Sequence, residues 1–285
     1  MSEEYEFSLS NKILVLTILL FVLYAVDYVG FSLNTQLISH PGMYMIMAFL
    51  DTLIVTYVIL NSDDYGLNLI LRIFLAFFAL KYFLVGLEVI YLTNILSWTL
   101  TQRLLINGIV SSFIYCVVIV LVLGKSENSD HPKKNDKSFK DHINFTEIVT
   151  IFGKIILAGG VWILLYIIFG TFVFKNMSLL LDLNASLLYV NEFGQRSPLY
   201  LVFFQFLRGI IWTFLLLPII YVMKGGLAKK AITTGFLFSI LMGSNLLIPT
   251  QLPFFIQIAH FVEVFFSNFI FGIFLVLIFF FKPKN

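Results

Sequence analysis

The 285-residue chain is 60% hydrophobic and 12% charged, with 33 Phe and a mean hydropathy of +0.97. Soluble domains are about half apolar and about a quarter charged, so no soluble fold could hide this much apolar surface, and lipid must be the solvent. The net charge of +2 gives no basis for nucleic-acid binding, and a single cysteine, Cys116 in an apolar run, excludes an intrachain disulfide.

A bilayer core about 30 Å thick needs about 20 apolar residues as helix. Taken in chain order, that ruler predicts spans over 12–31, 43–61, 68–92, 104–124, 148–173, 199–223, 231–249 and 255–281. The expected fold class is therefore all-α: a polytopic membrane protein of about eight transmembrane helices in two four-helix halves. The first apolar run, 13–31, is too long for a signal-peptide core and lacks a small-x-small cleavage site, so it is predicted to remain as the first span. Apolar-polar alternation is missing, which argues against a barrel.

Three regions follow from this pass. Residues 1–124 form the N-terminal membrane half, 125–147 a polar linker rich in Lys, Asp, Asn and Ser, and 148–285 the C-terminal membrane half. The second half carries a long outer loop at 175–198. Within it, 177–190 is Leu-rich with Asp182 and Asn184 interspersed, a pattern expected of a short helix lying along the membrane surface. Asn184-Ala185-Ser186 matches a glycosylation sequon too short to carry weight.

Basic residues set the predicted orientation. With the N-terminus inside, Lys12, Arg72, Lys125, Lys133, Lys134, Lys137, Lys140, Lys154, Lys224, Lys229, Lys230, Lys282 and Lys284 lie on the inner side. Only Arg103, Lys175 and Arg196 lie on the outer side. This asymmetry predicts a cell-membrane protein with both termini in the cytoplasm.

Ionisable residues inside predicted spans are costly and usually face partners or water. Away from the inner helix ends, where Lys12, Arg72 and Lys154 lie, they are in chain order Asp27, Asp51, Lys81, Glu88, Arg208, His260 and Glu263. Lys81 and Glu88 are seven apart, which returns an α-helix to nearly the same face. Gln257, His260, Glu263 and Ser267 form one polar stripe, and Gln205, Arg208 and Trp212 another. Depth pairs Arg208 with Glu263, and Asp51 with Lys81. The expected site is an outward-facing polar cavity between helices three, six and eight. Asp27 and Glu88 would stand near its mouth, and Arg208, His260 and Glu263 deeper. The same pairs could also serve only to fix which helices pack together. Gly159-Gly160, Gly209 and Gly243 read as packing positions.

No cofactor or metal is expected. One His beside one Glu falls short of a zinc set, and His40, His131 and His142 lie in loops rather than spans. The chain has no P-loop, H-E-x-x-H, G-x-S-x-G or Gly-Tyr-Gly filter and no arginine ladder, so no catalytic or channel motif is present. Three classes stay open. The first is a carrier for a small or amphipathic substrate at the polar site. The second is a membrane-embedded enzyme acting on lipid or isoprenoid, with His260 and Glu263 as acid–base groups. The third is a non-catalytic subunit, anchor or pore contacting membrane or cytoplasmic proteins through 125–147. The expected partners are the lipid bilayer and a small-molecule or lipid ligand.

Overall fold

The computed structural model describes residues 7–29, 40–92, 98–126, 145–177, 197–248 and 253–281. Most of the predicted linker (127–144), the expected surface helix from residue 178 on, and the sequon lie outside the described residues. Among the described residues, eight helices are long and apolar enough to cross a bilayer.

These are α1 (Leu9–Val29), α2 (Pro41–Leu60), α4 (Trp98–Val122), α6 (Pro198–Val222) and α8 (Phe254–Phe280), together with three interrupted helices. Helix α3 runs as Gly66–Phe78, a π-helical turn Ala79–Phe83, then Leu84–Leu92. Helix α5 runs as Phe145–Ile168 and ends in a π-helical stretch, Phe169–Lys175. Helix α7 runs as Leu227–Gly243 and tightens into a 3-10 turn, Ser244–Leu247. The chain is an all-α polytopic membrane protein. Helix α4 begins six residues before the predicted span, because Thr101, Gln102 and Arg103 lower hydropathy without opposing helix.

Burial is inverted relative to a soluble protein. Phe152, Leu164 and Phe214 are exposed, whereas Asp27, Asp51, Lys81, Gln205, Arg208 and Glu263 are buried. A hydrocarbon solvent imposes this, since apolar side chains lose nothing by facing it and polar ones must find partners inside.

Consecutive helices pack as pairs: α1 with α2, α3 with α4, α5 with α6, α7 with α8. In addition α1 meets α4 and α5 meets α8, so both sets of four share one neighbour pattern. The two sets join where α3 meets α6 and α2 meets α7. Glycine sets the tightest approaches. A Cβ on Gly272 would lie 2.7 Å from the Gly235 Cα, and one on Gly209 would lie 3.0 Å from the Gly159 Cα. Gly160 and Gly243 take no part in such approaches: a Cβ there would meet nothing within 4 Å or only ordinary contacts.

At the end of the bundle that carries Lys125, Lys224, Lys229 and Lys230, the α2–α3 and α6–α7 turns are joined. The Asp63 N–H donates to the Val222 carbonyl at 2.8 Å and the Lys224 N–H to the Asn61 carbonyl at 2.7 Å. Ser62 and Met223 stand opposite each other between them. Nearby, Arg72 Nε meets Asp64 at 2.6 Å, and its Nη1 donates to the Pro218 carbonyl at 2.8 Å. Gly66, at φ 55, donates its N–H to the Lys125 carbonyl at 2.8 Å. A side chain there would be strained in that backbone conformation and would press on Ser126 O at 3.0 Å.

Candidate functional site

Helix α3 distributes the buried charges. Its π turn places Lys81 and Tyr82 consecutively against two different carboxylates. Lys81 Nζ lies 2.9 Å from Asp51 Oδ2 of α2 and donates to Ser244 Oγ of α7 at 2.9 Å. Asp51 also accepts from Tyr24 Oη at 2.6 Å and from Ser244 Oγ at 2.7 Å. The knot therefore ties α1, α2, α3 and α7, and Asp51 is wholly buried. Ser244 opens the 3-10 turn of α7, so both helix irregularities here fall at the ion pair. The predicted Asp51–Lys81 pairing is present.

Tyr82 Oη donates to Asp27 Oδ2 at 2.6 Å, and Ser111 Oγ of α4 donates to Asp27 Oδ1 at 2.6 Å. Asp27 is buried and, among the described residues, pairs with no cation. It lies apart from the cavity described next, not at its mouth as the sequence suggested.

One turn beyond the π turn, Glu88 points elsewhere. A π turn takes up more residues than an α turn, so the seven-residue spacing from Lys81 no longer returns to one face, and the two side chains reach different helices. Glu88 Oε2 meets Arg208 Nη2 of α6 at 3.2 Å. The expected Arg208–Glu263 pairing is replaced: Glu263 Oε2 instead lies 2.8 Å from His260 Nδ1, one turn away on α8. Arg208 and Glu263 both line one cavity, but depth along a helix does not say which way it is rotated.

Glu88, Arg208, His260 and Glu263 border one cavity of about 450 Å³ toward the end of the bundle away from the lysine-bearing turns. Helix α5 supplies Trp162, Tyr166, Ile167, Gly170, Thr171 and Phe174, α7 supplies Met242, Asn245 and Leu246, and α8 adds Ser267 and Asn268. Beneath it, Trp162, Trp212, Phe238 and Phe271 form an aromatic floor, with the two tryptophan rings 4.3 Å apart edge to face. The Arg208 guanidinium rests on the Trp212 ring at 4.6 Å. Its Nε finds no hydrogen-bond partner among the described residues. Trp162 Nε1 donates to Gln205 Oε1 at 2.9 Å, joining α5 and α6 one turn from Arg208 toward Pro198. Phe174 stands edge-on to His260 at 5.7 Å.

No family model, curated protein or solved structure matches the chain.

Of the seven residues singled out from the sequence, four gather at the cavity, and Asp51, Lys81 and Asp27 form the two separate buried centres. The contribution of α5 was not legible. Trp162, Tyr166 and Phe174, in or beside an apolar span, look like lipid-facing or packing residues; only Gly159-Gly160 signalled a helix packing position there. Among the described residues no group of three or more His, Cys, Asp or Glu could hold a metal ion.

Proposed function

We propose that the protein is a membrane carrier that binds a small or amphipathic ligand at this cavity, with its lysine-bearing end in the cytoplasm. One observation supports this above the others. A buried guanidinium, seated on a tryptophan ring and held by a single carboxylate contact among the described residues, borders a partly open cavity large enough for a small ligand. A charge placed so far from water is normally satisfied on all sides. Here the remaining side is empty space lined by both polar and apolar groups. His260 and Glu263, in contact at 2.8 Å, also line the cavity, and a histidine–carboxylate contact is suited to coupling ligand movement to a proton.

The test uses side-specific labelling. In a Cys116→Ser background, Asn245→Cys places a thiol in the cavity. The expected result is modification by an impermeant maleimide from either side of oriented vesicles, as a carrier presents its site alternately. Modification from one side under every condition tried removes the carrier reading. That outcome would favour the second reading, a membrane enzyme, which the 2.8 Å His260–Glu263 contact also supports as an acid–base pair.

A further inference from the structure

Resting on that reading of the cavity, we infer that its ligand is a single-chain, monoanionic amphiphile of the fatty-acid carboxylate class. It enters sideways from the bilayer between α5 and α6 and places its head at Arg208.

The head follows from charge. Arg208 carries five donors, and its one charge contact among the described residues, 3.2 Å to Glu88, is longer than the roughly 2.7–2.9 Å of a strong charge-assisted bond. A ligand carboxylate can take the guanidinium in two parallel bonds, which Glu88 does not. Glu88 and Glu263 both line the space and oppose any anion there, so one negative charge is tolerated only in direct contact with the guanidinium and a second has nothing to hold it. A monoanion fits this balance better than a doubly charged phosphate ester.

The body follows from size and lining. At about 450 Å³ the cavity lies in the lower part of the roughly 300–1,000 Å³ range of small-molecule sites. One short acyl chain matches that, and a two-chain lipid exceeds it. Ile167, Phe174, Leu201 and Leu246 provide apolar wall.

The route follows from the way α5 and α6 part. They touch at Gly159 and Gly209, where a Cβ would lie 3.0 Å from the facing glycine's Cα. Beyond that crossing α5 turns π-helical and packs on α8. Ile167 and Thr171 both line the cavity and reach the outer surface of the helix. Gly170 also lines the cavity, and a Cβ built on it meets nothing within 4 Å among the described residues. A cavity wall with lipid-facing residues and open space beside its glycine is a side entrance at membrane depth.

The experiment is equilibrium binding of dansyl-labelled undecanoic acid to the full chain in phosphatidylcholine nanodiscs, read as energy transfer from tryptophan, since Trp162 lines the site. Transfer should be saturable and displaced by dodecanoate, but not by dodecyltrimethylammonium, dodecanol, acetate or phosphatidylglycerol in the disc. The paired variant Glu88→Gln/Arg208→Gln, which removes both charges together, should weaken binding roughly ten- to hundredfold, as loss of a charged hydrogen bond implies. Gly170→Phe adds a side chain where space is open, so the fold is retained and probe association should slow at least severalfold.

Equal displacement by the cationic or neutral chain overturns the anionic head, by acetate the chain, and by phosphatidylglycerol the single-chain class. Parent-like binding in the paired variant overturns Arg208 as anchor. An unchanged association rate in Gly170→Phe overturns the side entrance. Saturable binding together with one-sided Asn245→Cys labelling would retire the carrier and keep the ligand. Two-sided labelling with no dodecanoate-sensitive binding would do the reverse.

Discussion

Among the described residues the bundle contains two ion pairs between helices, and they are built in opposite ways. Around Asp51 and Lys81 both carboxylate oxygens are used, by Tyr24, Ser244 and the ammonium, and the side chains are 0% and 2% exposed. Around Arg208 and Glu88 the contact is longer, the Glu88 side chain is 32% exposed, and one guanidinium nitrogen has no partner among the described residues. A buried charge that is fully hydrogen-bonded can hold helices together, because each group's lost hydration is replaced. A buried charge left short of partners beside a cavity is poised for something that arrives. The same residue types therefore carry different weight according to how completely the surrounding helices satisfy them.

The sharpest way to break this contrast is Asp51→Ala. It strands the Lys81 ammonium in the core and should cost about 3–5 kcal/mol in reversible unfolding from mixed micelles. Asp51→Leu with Lys81→Met should restore most of that loss, since no uncompensated charge remains. A loss under about 1 kcal/mol for Asp51→Ala would mean that water reaches the knot.

Tyr82→Phe removes a donor from Asp27 while leaving the ring, and should cost about 1.5–3 kcal/mol in the same assay. Parent-like stability there would show that Ser111 alone suffices for that carboxylate. At the cavity, the paired Glu88→Gln/Arg208→Gln change should alter stability by no more than about 1 kcal/mol; a larger loss would make this pair structural, like the knot. The smallest effect belongs to Lys224→Ala. Its contact with Asp63 joins side chains 43% and 71% exposed, and surface pairs of this kind contribute about 1 kcal/mol or less. Chemical denaturation at two salt concentrations would detect anything greater.

The eight spans were readable because hydropathy over about 20 residues reports directly on the lipid solvent. The Asp51–Lys81 pair was readable too, since two opposite charges at one depth have few other ways to be neutralised. Rotation was not readable. Nothing in Ala79-Leu80-Lys81-Tyr82-Phe83 announces a π turn, yet that turn sends Lys81 toward α2 and α7 and leaves Glu88 to α6. The same blindness gave Arg208 the wrong carboxylate. Helix α5 stayed hidden for a different reason: aromatic side chains that line a cavity have the same hydropathy as those that face lipid.

The short backbone joint at the lysine-bearing end has a mechanical consequence. Ser62 and Met223 oppose each other between two flanking hydrogen bonds, the antiparallel geometry in which paired Cα atoms stand about 4.5 Å apart. That separation lies within the range a disulfide spans. If the cavity is ever to empty toward this end, the joint has to open. Ser62→Cys with Met223→Cys, in a Cys116→Ser background, would make its opening conditional on a reductant. Oxidised, such a disulfide would hold the two turns together; reduced, it would leave them free to part.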